Sequence, residues 1–285
     1  MNYIRITKEN IDREHICCAM SGKQSIAKKE WLRQRFEEGL VFYRSEERGK
    51  CFIEYIPAEN AWVPIMADGW LYINCLWVSG SMKGHGYSND LLEECIRDAR
   101  AQGKNGICIL CAEGRKREFL ADPKFLAHKG FRVADISDCG IDLMVLPLVP
   151  NAEPPRFREC AKHPAIAEAG FVLYYTDQCP YTYYWVPRVQ EAAKEHDPVQ
   201  GHPHHGQRIR AERSRAGHDL CAVPGRQVFD AEHSVRQKIS GAGWDPGLSH
   251  RTSESRRFMC GYAELIPAPG DPPRSFSSSP PSAAP

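Results

Sequence analysis

LYINCLWVSGSMKGHGYSNDLL, residues 71–92, reads as a buried strand, a glycine-bearing loop and the first turns of a helix. The loop Lys83-Gly84-His85-Gly86-Tyr87-Ser88 falls where the strand hands over to the helix. Glycines let the backbone approach a ligand closely, and the first N–H groups of a helix have no intrahelical partner. Together they make an anion site suited to a phosphate group.

Outward from this stretch, regular elements extend in both directions. The helix runs to about residue 102, with Leu91, Leu92, Cys95, Ile96 and Ala99 as its apolar stripe and Gly103 as its stop. A strand, GICILC (106–111), comes next, then a helix interrupted by Pro123 and ended by Lys129-Gly130, then two strand-like runs, FRVADI (131–136) and IDLMVLPLV (141–149). Upstream, NYIRIT (2–7) alternates as a first strand. Asn10 and Asp12 predict a capped helix to about Met20, and Ile26, Trp31, Leu32 and Phe36 predict a second over 25–38. LVFYRSEE and KCFIEYIPA (40–47 and 50–58), joined across Gly49, form a hairpin signal. The order β, α, α, β, β, β, α, β, α, β, β predicts an α/β (α+β) fold with a mixed central sheet flanked by helices.

Composition narrows the function classes. The 285-residue chain has a formal net charge of +1, without the basic excess of a nucleic-acid or membrane-surface binder. No apolar run is long enough to span a bilayer, and charges in MNYIRITKENIDREH stand where a signal peptide has its apolar region, so a cytoplasmic location is expected. The twelve cysteines lie mostly in apolar runs, as reduced, buried thiols do. Cys108 and Cys111 have C-x-x-C spacing, but residues three apart in a strand face opposite sides and no second ligand pair follows, so no metal is expected.

Past residue 148 the pattern restarts. PNAEPP (150–155) reads as a linker and 157–170 as a partly helical approach. FVLYYTDQ (171–178) is a β-prone run, followed by Cys179-Pro180-Tyr181-Thr182 and a helical stretch to about His196. After Asp197 aliphatic residues thin out, and the chain ends in the low-complexity run PAPGDPPRSFSSSPPSAAP. His202, His204, His205 and His218 in this tail suggest metal ligands by type, but lack regular spacing and a supporting carboxylate or Cys cluster.

The element order and the loop resemble the GNAT acetyltransferases, whose signature Gln/Arg-x-x-Gly-x-Gly/Ala corresponds here to Ser81-Met82-Lys83-Gly84-His85-Gly86. Tyr87-Ser88-Asn89-Asp90-Leu91-Leu92 looks like the family's helix start, and LAHKGF (126–131) like its downstream ending. The resemblance implies acetyl-CoA as the co-substrate. Backbone of Leu76, Trp77 and Val78 would pair with the pantetheine arm, and Lys83, Gly84, His85, Gly86, Tyr87 and Ser88 would hold the pyrophosphate. Ser81 departs from the signature's first position, where Lys83 is positioned to supply charge. Direct attack by an amine needs a base, an oxyanion site and an acid for the leaving thiolate. The Tyr the family uses as acid is replaced by Leu126, leaving Tyr87, Cys111 or solvent as candidates. Glu54, in the otherwise apolar CFIEYI, is the candidate base; alternation alone leaves open whether it faces the cleft or points outward.

FRECAKHPAIAEAGFVLYYTDQCPYT (157–182) is similar to the bacterial GNAT proteins carrying a C-terminal YoaP-like domain, and Cys179-Pro180-Tyr181-Thr182 to the Cys-Pro-Tyr-Cys site of glutaredoxins. Cys179 is the redox candidate. Thr182 takes the place of the second cysteine, and Cys160 is a conceivable distant partner. The expected organisation is an acetyltransferase domain over 1–148, a linker over 149–157, an incomplete thioredoxin-like unit over 158–197 and an irregular or disordered tail over 198–285. The tail reads as out of frame: plausible codons for 198–206 read one base later give a strand pattern. The expected activity is acetyl transfer from acetyl-CoA to an amine of a small molecule or peptide. Alternatives are a thiol or binding module using Cys179, and a GNAT-fold acyl-CoA binder without turnover.

Overall fold

The computed structural model describes residues 1–16, 18, 22–112, 120–137, 140–162, 171–193, 199–203, 258–259 and 264–267. In chain order the strands are β1 (Tyr3–Ile6), β2 (Val41–Ser45), β3 (Cys51–Pro57), β4 (Ile65–Met66), β5 (Trp70–Val78), β6 (Gly106–Ala112), β7 (Arg132–Ile136), β8 (Ile141–Pro147), β9 (Arg156–Phe157), β10 (Phe171–Tyr175), β11 (Val199–Pro203), β12 (Phe258–Met259) and β13 (Glu264–Pro267). The helices are α1 (Gly22–Phe36), α2 (Tyr87–Ala101), α3 (Pro123–His128), α4 (Glu159–Lys162) and α5 (Pro180–Ala193).

Seven strands form one mixed sheet in the order β1-β2-β3-β5-β6-β8-β7. Its one parallel pair is β5–β6, with α2 as the crossover that such a pair requires. Alternation sends successive side chains to opposite faces and so divides the core in two. Phe42, Phe52 and Ile56 join Trp31 and Leu32 of α1 on one face. Ile53, Tyr55 and Ile107 join Leu91, Leu92, Cys95 and Ala99 of α2 on the other. Cys108 falls in the first cluster and Cys111 in the second, as strand residues three apart must.

Strand β5 is irregular in two ways. Against β3, Ile73 pairs with Tyr55 and Cys75 with Glu54, leaving Asn74 as the extra residue of a bulge. The bulge reverses the alternation. Before it, Leu71 and Ile73 face the α2 side; after it, Leu76 and Val78 do. Against β6, pairing covers only Trp70–Ile73 with Gly106–Ile109. Beyond that point β5 stays with β3 and β6 with β8, so the sheet splays and one edge of residues 74–78 has no strand beside it among the described residues.

The expected helix beginning near Asn10 is absent; residues 8–13 form turns. Asn10 accepts from the Thr7 backbone N–H (2.8 Å) and donates to the Arg5 carbonyl (2.9 Å), so its side chain closes a turn instead of capping a helix. The predicted second helix is α1, displaced to Gly22–Phe36. Pro123 opens α3 rather than interrupting a helix: Asp122 caps it by accepting from the Lys124 N–H. The stretch read as a linker carries β9, which pairs with β4 and buries Phe157 in the α1-side core. In the second unit β10 lies between β11 and β13 in a four-stranded sheet with β12 at its edge. Most of the tail, including His204, His205 and His218, lies outside the described residues. No helix among them is long and apolar enough to cross a membrane.

Candidate active site

The β5–α2 loop is built for its conformation. Gly84 and Gly86 have φ of +84° and +81°, a left-handed backbone that costs an L-residue about 1–2 kcal/mol. Gly86 is the N-cap of α2 and supplies no side chain to close the helix end, so the Tyr87 and Ser88 N–H groups are not capped by it. The helix is anchored from below. Arg5 of β1 bridges Glu94 (2.9 Å) and Asp98 (2.8 Å), Tyr55 of β3 donates to Asp98 (2.5 Å), and Tyr3 donates to Asp90 (2.8 Å). These contacts tie α2 along its length to β1 and β3.

Beside the loop lies a cavity of about 380 Å³, within the size range of small-ligand sites. Phe52, Tyr72 and Leu110 line it from the α1-side core, and Ile73, Met82 and Ile109 from the α2-side core. The cavity therefore passes through the opening between β5 and β6. Of the residues expected to hold the cofactor, Leu76, Trp77, Val78, Lys83, Gly84, Gly86, Tyr87 and Ser88 line it. His85 is exposed and does not; its ring stacks on Tyr87 with centroids 5.3 Å apart. An unpaired strand edge next to an open helix N-terminus offers amide groups to an extended, amide-bearing arm that ends in phosphate.

At the other end of the cavity Glu54 faces inward, on the α1 side of β3 with Phe52 and Ile56. This settles the choice that alternation left open. Its carboxylate is fully buried and occupied: Lys28 Nζ of α1 donates to Oε2 (2.6 Å), and Asn74 Nδ2, on the bulge, donates to Oε1 (2.9 Å). Lys28 is equally buried, lies 4.2 Å from the Trp31 ring centroid, and donates to the carbonyl of Gln178 (2.6 Å). That last bond reaches the loop before α5, and Gln178, Cys179, Pro180 and Tyr181 complete the cavity wall.

The other candidate acid, Cys111, stands elsewhere. It does not line the cavity; its thiol faces Asp142 Oδ2 at 3.9 Å and is pushed up to about 12 by burial and the neighbouring carboxylate. Tyr87 does line the cavity. Trp62 and Trp70 are used in packing. Trp62 makes an edge contact with Trp31 and carries the Arg35 guanidinium over its ring, and Trp70 is buried. Cys160 is disulfide-bonded while Cys179 is a free thiol, so the two are not partners. Burial pushes the Cys179 thiol up; N–H groups of Tyr181 and Thr182 and the Lys28 charge oppose this, and the Glu54 charge adds to it. Lys28 and the Gln178 contact escaped the sequence reading: a lysine on a helix gives no sign of burial, and the two residues are 150 positions apart.

YoaP of Bacillus subtilis (strain 168), an uncharacterized N-acetyltransferase, is 49% identical over 185 residues, which cover 64% of this chain and 73% of that one. The chain belongs to the GNAT N-acetyltransferase family. No family model matches this acetyltransferase. Among solved structures it resembles a GNAT acetyltransferase from Brucella melitensis in complex with acetyl-CoA, at 15% identity over 53% of this chain and 90% of that one, with a TM-score of 0.35. It also resembles yncA, a putative acetyltransferase from Salmonella typhimurium with acetyl-CoA, at 18% identity, 54% and 97% coverage and a TM-score of 0.39.

Proposed function

We propose that this acetyltransferase moves an acetyl group from acetyl-CoA to a primary amine of a small molecule or peptide, in the cytoplasm. The observation that carries this reading is the unpaired edge of β5 running into the open N-terminus of α2. The pantetheine amides pair with the backbone of Leu76, Trp77 and Val78, while Gly84, Gly86, Tyr87 and Ser88 take the pyrophosphate, with Lys83 alongside. This arrangement carries the thioester into the opening between β5 and β6. There the amine approaches from the side of Glu54, which accepts its proton as the Lys28 contact adjusts. Tyr87, at the donor end, is the acid for the departing thiolate.

The segment from α4 through α5 is the second, thioredoxin-like unit, and its residues Gln178–Tyr181, which lead into α5, form one wall of the acceptor end. We assign the chain beyond about Asp197 to a shifted reading frame, which resequencing of the locus tests.

Donor binding is the direct check. At 100 times its Kd, acetyl-CoA stabilises the fold by about 2.7 kcal/mol, and the melting temperature rises accordingly. Gly86→Glu forces a side chain onto a left-handed residue and places a carboxylate against the phosphates, so the rise disappears. A melting temperature indifferent to acetyl-CoA in the parent protein refutes the assignment. An amine panel read by release of free CoA thiol then finds the acceptor.

A further inference from the structure

We propose that the acceptor is an aromatic monoamine: a small molecule with one amino group, delivered to Glu54, and a ring held in the α1-side half of the cavity. The proposal rests on the acetyl-transfer reading above and narrows its acceptor. On that side the cavity is lined by rings. Phe52 and Tyr72 belong to the α1-side core, and Trp77 packs against it. Phe52 stacks on Phe42 with centroids 5.0 Å apart and meets Trp77 at 6.4 Å and 60°. Tyr181, in the first turn of α5, adds a ring from the second unit. Such a wall takes up a flat ring by offset and edge contacts in preference to a saturated one of the same size.

The charges of this half disfavour a second cation. Among the described residues four charged side chains line the cavity: Lys28, Glu54, Lys83 and Asp122. Lys83 lies in the donor loop, and Asp122 is exposed where it caps α3. Lys28 and Glu54 are buried and paired with each other, and the second carboxylate oxygen of Glu54 takes the Asn74 amide. The pair is neutral as a unit, so no buried carboxylate is left over for an ammonium that does not react. A polyamine or a lysine-bearing peptide brings further ammonium groups toward Lys28, unpaired and out of water. Aromatic rings also attract cations, but Trp77 already carries Lys50, whose Nζ lies 4.2 Å from the ring centroid. Size acts in the same direction. The cavity of about 380 Å³ also has to take the thioester end of the donor, which leaves space for a ring rather than a peptide chain.

The transfer balances without a further reactant. The free amine loses its ammonium proton to solvent before it enters. Its nitrogen then bonds to the acetyl carbonyl carbon, and the bond from that carbon to the CoA sulfur breaks with its electron pair left on sulfur. Nitrogen releases one proton to Glu54 and sulfur takes one from Tyr87. One proton passing from Glu54 to Tyr87 through solvent restores both. The products are the N-acetylated aromatic amine and free CoA.

A panel of amines on the full chain tests this. The protein is assayed with acetyl-CoA and benzylamine, cyclohexylmethylamine, spermidine or a lysine-containing peptide. The acetylated product is measured by chromatography and mass spectrometry, and rates are referred to the concentration of neutral amino groups. Benzylamine and cyclohexylmethylamine carry their amine on the same one-carbon arm and differ in the ring alone. The expected kcat/KM for benzylamine is about 3–10-fold above that for cyclohexylmethylamine. It is at least about 100-fold above those for spermidine and the peptide. In Tyr181→Leu the KM for benzylamine rises about 3–10-fold, that for cyclohexylmethylamine changes less, and the acetyl-CoA melting shift remains. Transfer to cyclohexylmethylamine, spermidine or the peptide that equals or exceeds transfer to benzylamine overturns the proposal and leaves acetyl transfer standing. So does a Tyr181→Leu variant that treats the two monoamines as the parent does. A parent protein that shows the melting shift but acetylates no amine of the panel overturns the acceptor class and keeps the donor site. Absence of both product and melting shift overturns the donor assignment as well.

Discussion

Replacing Lys28 by Met isolates the energetics of the buried pair. Lys28 and Glu54 side chains are 1% and 2% exposed, and their contact is 2.6 Å. Removing the ammonium leaves a carboxylate in the core with only Asn74 as a partner, and breaks the bond to the Gln178 carbonyl. An uncompensated buried charge of this kind costs about 3–5 kcal/mol. For a chain of this size about 2–4 °C of melting temperature corresponds to each kcal/mol, so Lys28→Met should melt roughly 6–20 °C below the parent. Glu54→Gln should cost less, because the amide oxygen still accepts from Lys28. The double variant Lys28→Met/Glu54→Leu removes both charges, and apolar replacement of a buried pair is often neutral or stabilising. It should therefore melt well above Lys28→Met while transferring no acetyl group. Thermal melts of the four proteins at pH 7, with CoA release assayed alongside, measure both effects. A Lys28→Met variant that melts with the parent, or a double variant that melts no higher than Lys28→Met, refutes a coupled buried pair.

The core offers two further tests. A Cβ on Gly106 would stand 2.4 Å from the Leu146 carbonyl oxygen and 2.5 Å from Trp70 Cζ3. Neither backbone nor a packed indole yields cheaply, so Gly106→Ala should cost about 1–3 kcal/mol; unchanged urea and thermal midpoints would show that the strands give way. Burial raises the Cys95 and Cys108 thiols above their ordinary value of 9.0. The folded state then keeps protons that the unfolded state releases, so stability is intact below pH 9.0 and falls as pH rises beyond it. The slope is about 1.4 kcal/mol per pH unit per thiol. A melting temperature that stays level above that pH, or one whose decline Cys95→Ala and Cys108→Ala leave unchanged, contradicts the assignment.

The elements legible in the sequence are those whose signals are local. Periodicity locates α2 through Leu91, Leu92, Cys95 and Ala99, and glycines mark the loop at Gly84 and Gly86. The order of strands and helices is equally local, apart from the turn at Asn10, where a capping residue spends its side chain on Thr7 and Arg5. The hidden features depend on contacts far apart in the chain. The bulge at Asn74 shows only when β5 is laid against β3, and without it the face of residues 74–78 cannot be assigned. Glu54 reads as a strand residue of undecided direction because its partner, Lys28, lies on a helix whose polar residues give no sign of which one is buried. The β4–β9 pairing looks like part of a linker because two-residue strands carry no alternation. Cys111 draws notice as a strand-end thiol, and only the proximity of Asp142 shows why it is a poor acid.

The splay between β5 and β6 has a consequence for traffic through the protein. The sheet acts as a partition with a port in it. In the proposed arrangement a coenzyme along the β5 edge would occupy one doorway, and an acceptor arriving beside α1 and Gln178–Tyr181 would use another. Neither would have to wait for the other to leave, so spent coenzyme could be exchanged while the acceptor remained in place. A molecule long enough to pass through the port would block both doorways at once, and would bind more tightly than its two halves taken separately.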